Sequence, residues 1–189
     1  MIISLFIAIL LIIAALILLI PHGKTPSSHN FTPVSRIIIA NVSIVGTNYM
    51  EKITYSPEDF PQILKNLSSV KNSLLEDFRS RVSSYNIEMV DLKVRILNDS
   101  HSLLLTCLVR GNVWSTSSGF TADMSWLINP LGLDLIDDHF EETNHSLEWK
   151  GNLQGIYTEI YIELPPQNMS YRAWQQPVGH CHAHIWWPS

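Results

Sequence analysis

The C-terminal run Gly179-His-Cys-His-Ala-His-Ile185 concentrates the metal-binding chemistry of this chain: His180, His182 and His184 recur every second residue, with Cys181 between the first two. In an extended strand such positions share a face, roughly 7 Å apart, so the imidazoles converge on one side. Cys181 then points to the opposite side unless a turn brings its thiolate round. Neutral imidazole and thiolate suit Zn²⁺ or copper. The competing reading is an exposed His-rich terminus that holds metal adventitiously or not at all.

Narrower motifs fail on residue identity. The H-C-H-x3-H pattern of multicopper oxidases needs His at position 186, which is Trp186, and C-x-x-C-H haem attachment needs Cys at 178, which is Val178. The two cysteines, Cys107 and Cys181, could form one disulfide pinning the tail to the domain in an oxidising compartment. That pairing competes with Cys181 as a ligand and with Cys107 as a buried thiol between Leu105 and Val109. The acids Asp134, Asp137, Asp138, Glu141 and Glu142 around His139 read as a solvated helix end. There is no P-loop, G-x-S-x-G, HExxH or dinucleotide fingerprint, so no catalytic residue is assigned and a non-enzyme is expected.

A second kind of chemistry is modification. Asn30, Asn41, Asn66, Asn98, Asn144 and Asn168 each open an N-x-S/T sequon. The twelve Asn and thirty Ser plus Thr of the chain would give about two by chance, and six occur. This enrichment places the domain outside the cytoplasm and outweighs Lys24 and Arg36, whose positive charge beside the N-terminal apolar run argues the other way.

Composition limits the partners. With 46% hydrophobic and 15% charged residues, and 12 Lys+Arg against 17 Asp+Glu, the net charge is -5 and no basic block occurs, so no nucleic-acid partner is expected. The chain of 189 residues has room for one core plus an appendage. Residues 1–20 are apolar except Ser4, long enough as a helix to cross a bilayer, and predict an uncleaved single-pass transmembrane signal anchor. Residues 21–34, with Pro21, Pro26 and Pro33, read as a linker. A domain over 35–166 and a His/Trp-rich tail over 167–189 follow.

Several elements must position these groups. A strand over 36–45 places Ile38, Ala40, Val42 and Ile44 on one face, leaving Asn41 and Ser43 on the other. Ser56-Pro57-Glu58-Asp59 is a helix-start signature. Apolar positions from Phe60 through Leu64, Leu67, Val70, Leu74 and Phe78 to Val82 then predict one amphipathic helix to about Ser84. Ile87–Leu97, with Val90, Leu92, Val94 and Ile96 inward, and Ser102–Trp114 form a hairpin about Asn98–His101. Ser115–Gly119 reads as a polar loop and 123–140 as a second helical stretch. His145–Lys150 and Ile156–Leu164 form another hairpin, stopped by Pro165-Pro166. Leu64, Leu67, Phe78, Leu92, Leu105 and Ile160 are expected in one core.

The order strand, helix, strand, strand, helix, strand, strand predicts an α+β fold: a split βαβ (ferredoxin-like) sandwich with an antiparallel sheet and an extended C-terminal tail. This arrangement, over roughly 35–165, resembles SEA domains, which are membrane-proximal extracellular modules. Self-cleavage is not implied, because the central hairpin reads Asn98-Asp-Ser-His-Ser-Leu103 where cleaving members carry Gly-Ser before a valine run. The expected role is a glycosylated binding or structural module, membrane-anchored at the cell surface with a protein or cell-surface partner. The alternative is a surface protein that binds Zn²⁺ or copper through the tail.

Overall fold

The computed structural model describes residues 31–135, 138–143, 145–165, 172–176 and 182–188. The chain divides into two compact units, Met1–Asn30 and Phe31–Ser189, and every described residue belongs to the second. Eleven strands occur among these residues: β1 (Ser35–Ser43), β2 (Gly46–Thr54), β3 (Glu88–Leu97), β4 (Ser102–Arg110), β5 (Val113–Thr116), β6 (Gly119–Asp123), β7 (Glu141–Glu142), β8 (Ser146–Leu153), β9 (Ile156–Glu163), β10 (Arg172–Gln176) and β11 (His182–Pro188). The helices are α1 (Phe60–Lys65), α2 (Leu67–Val82) and α3 (Ser125–Ile128).

The split βαβ, SEA-like sandwich is therefore corrected. A seven-stranded mixed sheet runs β3-β4-β2-β1-β9-β8-β7, and a four-stranded sheet runs β10-β11-β6-β5. Within the large sheet β1 and β9 are parallel, whereas its other pairs are antiparallel. Helix is the minor component. The strand unforeseen between β1 and the helices is β2, whose inward positions are Thr47, Tyr49, Glu51 and Ile53. Two polar residues on the buried face conceal its alternation from a reading based on apolar period. The β1–β2 turn requires Gly46: its φ is +137°, and a Cβ there would meet the Val109 carbonyl oxygen at 2.3 Å.

The long helix expected over 56–84 is two helices. At Asn66 the backbone leaves helical geometry, with φ -108° and ψ 23°, and its side-chain amide donates to the Gln62 carbonyl at 3.0 Å, closing the end of α1. The short α1 turns Phe60 and Ile63 inward and leaves Leu64 40% exposed, so Leu64 does not join the core as expected. The second helical stretch shortens to α3 and a 3-10 turn at Asn129–Leu131. The expected polar loop at 115–119 is the tight end of the β5–β6 hairpin, where the Thr116 hydroxyl donates to the Gly119 carbonyl at 3.1 Å. The tail supplies β10 and β11 to the smaller sheet.

The membrane assignment is also corrected. Among the described residues no helix is long and apolar enough to cross a membrane. The longest is the 16-residue α2, of which only Phe78 and Val82 are buried. Residues 1–20, which carried the anchor expectation, lie outside the described residues, and the structure lends no support to a single-pass membrane protein.

The core lies on one face of the large sheet. Ile38, Ala40 and Val42 of β1, Tyr49 and Ile53 of β2, Leu103, Leu105, Cys107 and Val109 of β4, and Ile160 and Ile162 of β9 are all buried. Helix α2 seals this face through Phe78, whose ring stacks on Tyr49 at 4.9 Å, and α3 adds Trp126 edge-on to Tyr49 at 5.6 Å. Strand β11 buries Ala183, Ile185 and Trp187, with Trp187 stacked on Phe120 at 5.8 Å. The Ala183 N–H donates to the buried Ser125 hydroxyl at 2.8 Å, fixing the tail strand to α3.

Candidate functional site

The densest polar arrangement on the core side is built around Glu51, which is 0% exposed. Strand alternation puts it beside Ile38 of β1 and Leu105 of β4, out of reach of bulk solvent. Such a carboxylate persists only when paired and hydrogen-bonded. Arg36, in phase with Ile38 on the inward face of β1, brings Nε to 3.1 Å from Glu51 Oε1, an ion pair without linear hydrogen-bond geometry. Arg81, in the last turn of α2, donates from Nη2 to Oε2 at 3.1 Å. The Tyr49 hydroxyl donates to the same oxygen at 2.8 Å.

Arg81 is held from two further directions. Its Nε lies 3.1 Å from Asp77, one helical turn earlier, and its guanidinium sits 5.4 Å from the centre of the Phe78 ring. These surroundings fix protonation. Burial, then the Glu51 charge, raises the Tyr49 pKa well above its ordinary value. Burial works to lower the Arg81 pKa, but Glu51, Tyr49 and Asp77 outweigh it and the net shift is upward. Burial and then the Glu51 charge push Tyr55 up to about 12. The same two causes push Cys107 up to about 12.

The two arginines, each 20% exposed, line a cleft of about 270 Å³. Its remaining walls are Asp77 of α2, Pro130 and Leu131 of the 3-10 turn, Leu153 and Gln154 at the β8–β9 turn, and Ile156. The cleft thus combines two guanidiniums, a carboxylate and an amide with the aliphatic side chains of Pro130, Leu131, Leu153 and Ile156. Each guanidinium carries five N–H donors, more than Glu51 and Asp77 take up. A second cleft of about 190 Å³ is lined by Asp138, His139, Glu141, Glu148, Trp149 and Lys150.

The tail residues singled out from sequence are only partly described. His184 lies in β11, opposite Asp123 of β6, its ring edge-on to Trp114 at 5.8 Å. His182 occupies the position opposite Gln176 of β10, while His180 and Cys181 lie outside the described residues. Among the described residues no group of three or more His, Cys, Asp or Glu could hold a metal ion. Cys107 is a free thiol buried in β4. Of the sequons, Asn66 and Asn98 are exposed and Asn41 is half-buried in the central strand β1, with its side-chain oxygen covered. Asn30, Asn144 and Asn168 lie outside the described residues.

Sequence reasoning passed over Arg36, Glu51 and Arg81. The available signal was phase: Arg36 alternates with Ile38, Ala40 and Val42, and Arg81 stands three residues after Phe78 on the helical stripe. Each charge occupies a position its element turns inward. Compared with protein-family models, with curated proteins and with solved structures, the chain has no match.

Proposed function

We propose that this domain is a binding module, not an enzyme, and that its site is the Arg36–Arg81 cleft, which takes a small anion bearing a carboxylate or phosphate and a short apolar body. The observation that carries the proposal is the convergence of two guanidiniums on one buried carboxylate at the wall of a cleft that also presents Pro130, Leu131, Leu153 and Ile156. Guanidinium forks match carboxylate and phosphate oxygens bidentately. Glu51 pre-positions both, so little ordering remains to oppose binding. Asp77, 62% exposed, is the surface carboxylate that Arg81 already holds, and the incoming anion replaces it. Binding is favoured over proton-transfer chemistry because Tyr49 stays protonated and Arg81 stays charged at neutral pH. The exposed sequons at Asn66 and Asn98 support a location outside the cytoplasm, and the ligand is then one met there.

The test is calorimetric titration of the full-length protein with inorganic phosphate and, separately, with hexanoate. Saturable binding of at least one anion, weakened about tenfold or more in Arg81→Gln, is expected. Asp77→Asn, an exposed change that leaves Glu51 paired, should tighten binding by removing the competing carboxylate. Absence of saturable binding to the wild type and to Asp77→Asn would overturn the proposal.

A further inference from the structure

Among the described residues, the side chains on the face of the large sheet opposite Tyr49 and Phe78 are half-buried or exposed, apart from Ser102, which is buried at the end of β4. The middle strand of the sheet is β1, fourth of seven. The cations Lys52, Lys93 and Arg95 lie on one side of β1, on β2 and β3. On the other side lie the acids Glu159 and Glu163 of β9, Glu148 of β8 and Glu141 of β7, with Lys150 the one cation among them on β8 and β9. Ile37 and Ile39 of β1 with Met50 of β2 form an apolar centre, and Leu104 and Leu108 of β4 extend it in among the cations.

We infer that this face docks a second copy of the same chain, sheet on sheet, about a two-fold axis running along β1. Such a rotation keeps each residue's height along the strands and exchanges the two flanks. The register then decides which residues meet. Lys52 and Glu159 are both level with Ile37, one strand away on either side, so Lys52 of each copy faces Glu159 of the other. Met50 and Tyr161 are both level with Ile39 and meet in the same way. Asn48 and Glu163, both level with Asn41, make a third pair. Farther out in the Ile39 row, Lys93 is reached through Thr106, and Glu141 through Glu148, so they meet at the rim.

Ile37 and Ile39 stack on their own copies at the axis. A two-fold axis across the strands would instead set the cationic flank on itself, and like charges reject that arrangement. The retained axis also keeps strand directions aligned, as face-to-face sheets require. Seven strands spaced about 4.8 Å apart and three residue rows present on the order of 600 Å² per copy. Twice that area clears the lower bound of roughly 1,000 Å² for a specific interface. The inference is independent of the anion cleft, which opens on the helix side of the sheet.

Sedimentation of the full-length protein at low and high salt tests it, with charge reversals read against each other. Lys52→Glu and Glu159→Lys should each raise the dimer dissociation constant about tenfold or more, since a two-fold interface meets every substitution twice. The chain carrying both should return to within about threefold of wild type, because the ion pairs are restored in reverse. Lys93→Glu with Glu141→Lys, both at exposed positions, repeats the comparison without touching half-buried sites. A monomeric wild type overturns the inference, including when the face is covered by another protein or by residues 1–30. Association unchanged by either single reversal, or not restored in the double variants, overturns it as well.

Discussion

The Tyr49 hydroxyl donates to the Glu51 carboxylate at 2.8 Å, although the two are next-but-one neighbours on β2 and both face the core. The same Tyr49 ring stacks on Phe78 and receives the edge of Trp126. One side chain therefore couples the aromatic packing of α2 and α3 to the ionic cluster behind the cleft. Where the helices seat, the carboxylate follows, and with it Arg36 and Arg81. The arginine wall of the cleft is thus set by the core, while the 3-10 turn and the β8–β9 turn supply the opposing walls.

The first prediction is that Glu51→Ala destabilises the fold by about 3–5 kcal/mol, because it leaves the partly buried Arg36 without a counterion and Arg81 with only the exposed Asp77. Tyr49→Phe keeps the ring contacts and removes one donor, and should cost about 1–2 kcal/mol. Urea unfolding of the three proteins measures both. Equal losses in the two variants would mean that the carboxylate does no more than accept one hydrogen bond.

Alkaline pH provides the second. Cys107, ordinarily at 9.0, is raised to about 12, and Tyr55, ordinarily at 10.0, is also raised to about 12. The folded chain holds these protons while the unfolded chain releases them, so stability is full below pH 9 and falls as pH rises. The decline begins near 9 with Cys107 and steepens above 10 as Tyr55 and Tyr49 join, each group contributing at most about 1.4 kcal/mol per pH unit. In Cys107→Ala the onset should move up to about 10. Urea midpoints recorded across the range would show an unmoved onset if the thiol were not responsible.

Strands with a clean apolar period were legible in the sequence. Ile38, Ala40 and Val42 of β1, Leu103 to Val109 of β4, and Ile160 and Ile162 of β9 all take the predicted face. β2 was not legible, because Thr47 and Glu51 stand where apolar residues signal burial, and Glu51 is tolerable there only because Arg36 and Arg81 arrive from elements distant in the chain. The topology was lost with it: without β2 between β1 and β4, the remaining order suits a split βαβ. The tail read as extended, and β11 is extended, but its burial depends on β6 and α3, which no local pattern announces.

Sequon geometry supplies the third prediction. Asn66 and Asn98 are exposed at the junction of α1 with α2 and at the β3–β4 turn, whereas Asn41 is half-buried in the middle strand of the sheet. In a secretory host that N-glycosylates, peptide mapping of the folded protein should find glycan on Asn66 and Asn98, with Asn41 at much lower occupancy. Full occupancy at Asn41 would show that its sequon is modified before β1 enters the sheet.

The last prediction concerns β3, where Asp91 has φ 56° and the pairing with β4 shifts between Val90 and Lys93. Two residues, Asp91 and Leu92, there oppose Cys107 alone, a bulge whose left-handed first position favours glycine. Its consequence is a change of phase. Val94 and Ile96 face the core beside Leu105 and Leu103, while Val90 sits opposite Leu108 on the open face, so the uninterrupted alternation expected from Val90 to Ile96 does not hold. Asp91→Gly relieves the backbone and should leave stability unchanged or slightly higher. Asp91→Val forces a β-branched residue into the left-handed region and should cost about 1–2 kcal/mol. Deleting Asp91 leaves one residue opposite Cys107 and keeps Leu92, Val94 and Ile96 inward, so this shortened chain should fold. Urea midpoints rank the three variants, and valine tolerated as well as glycine would mean that the bulge relaxes into a regular ladder at no cost.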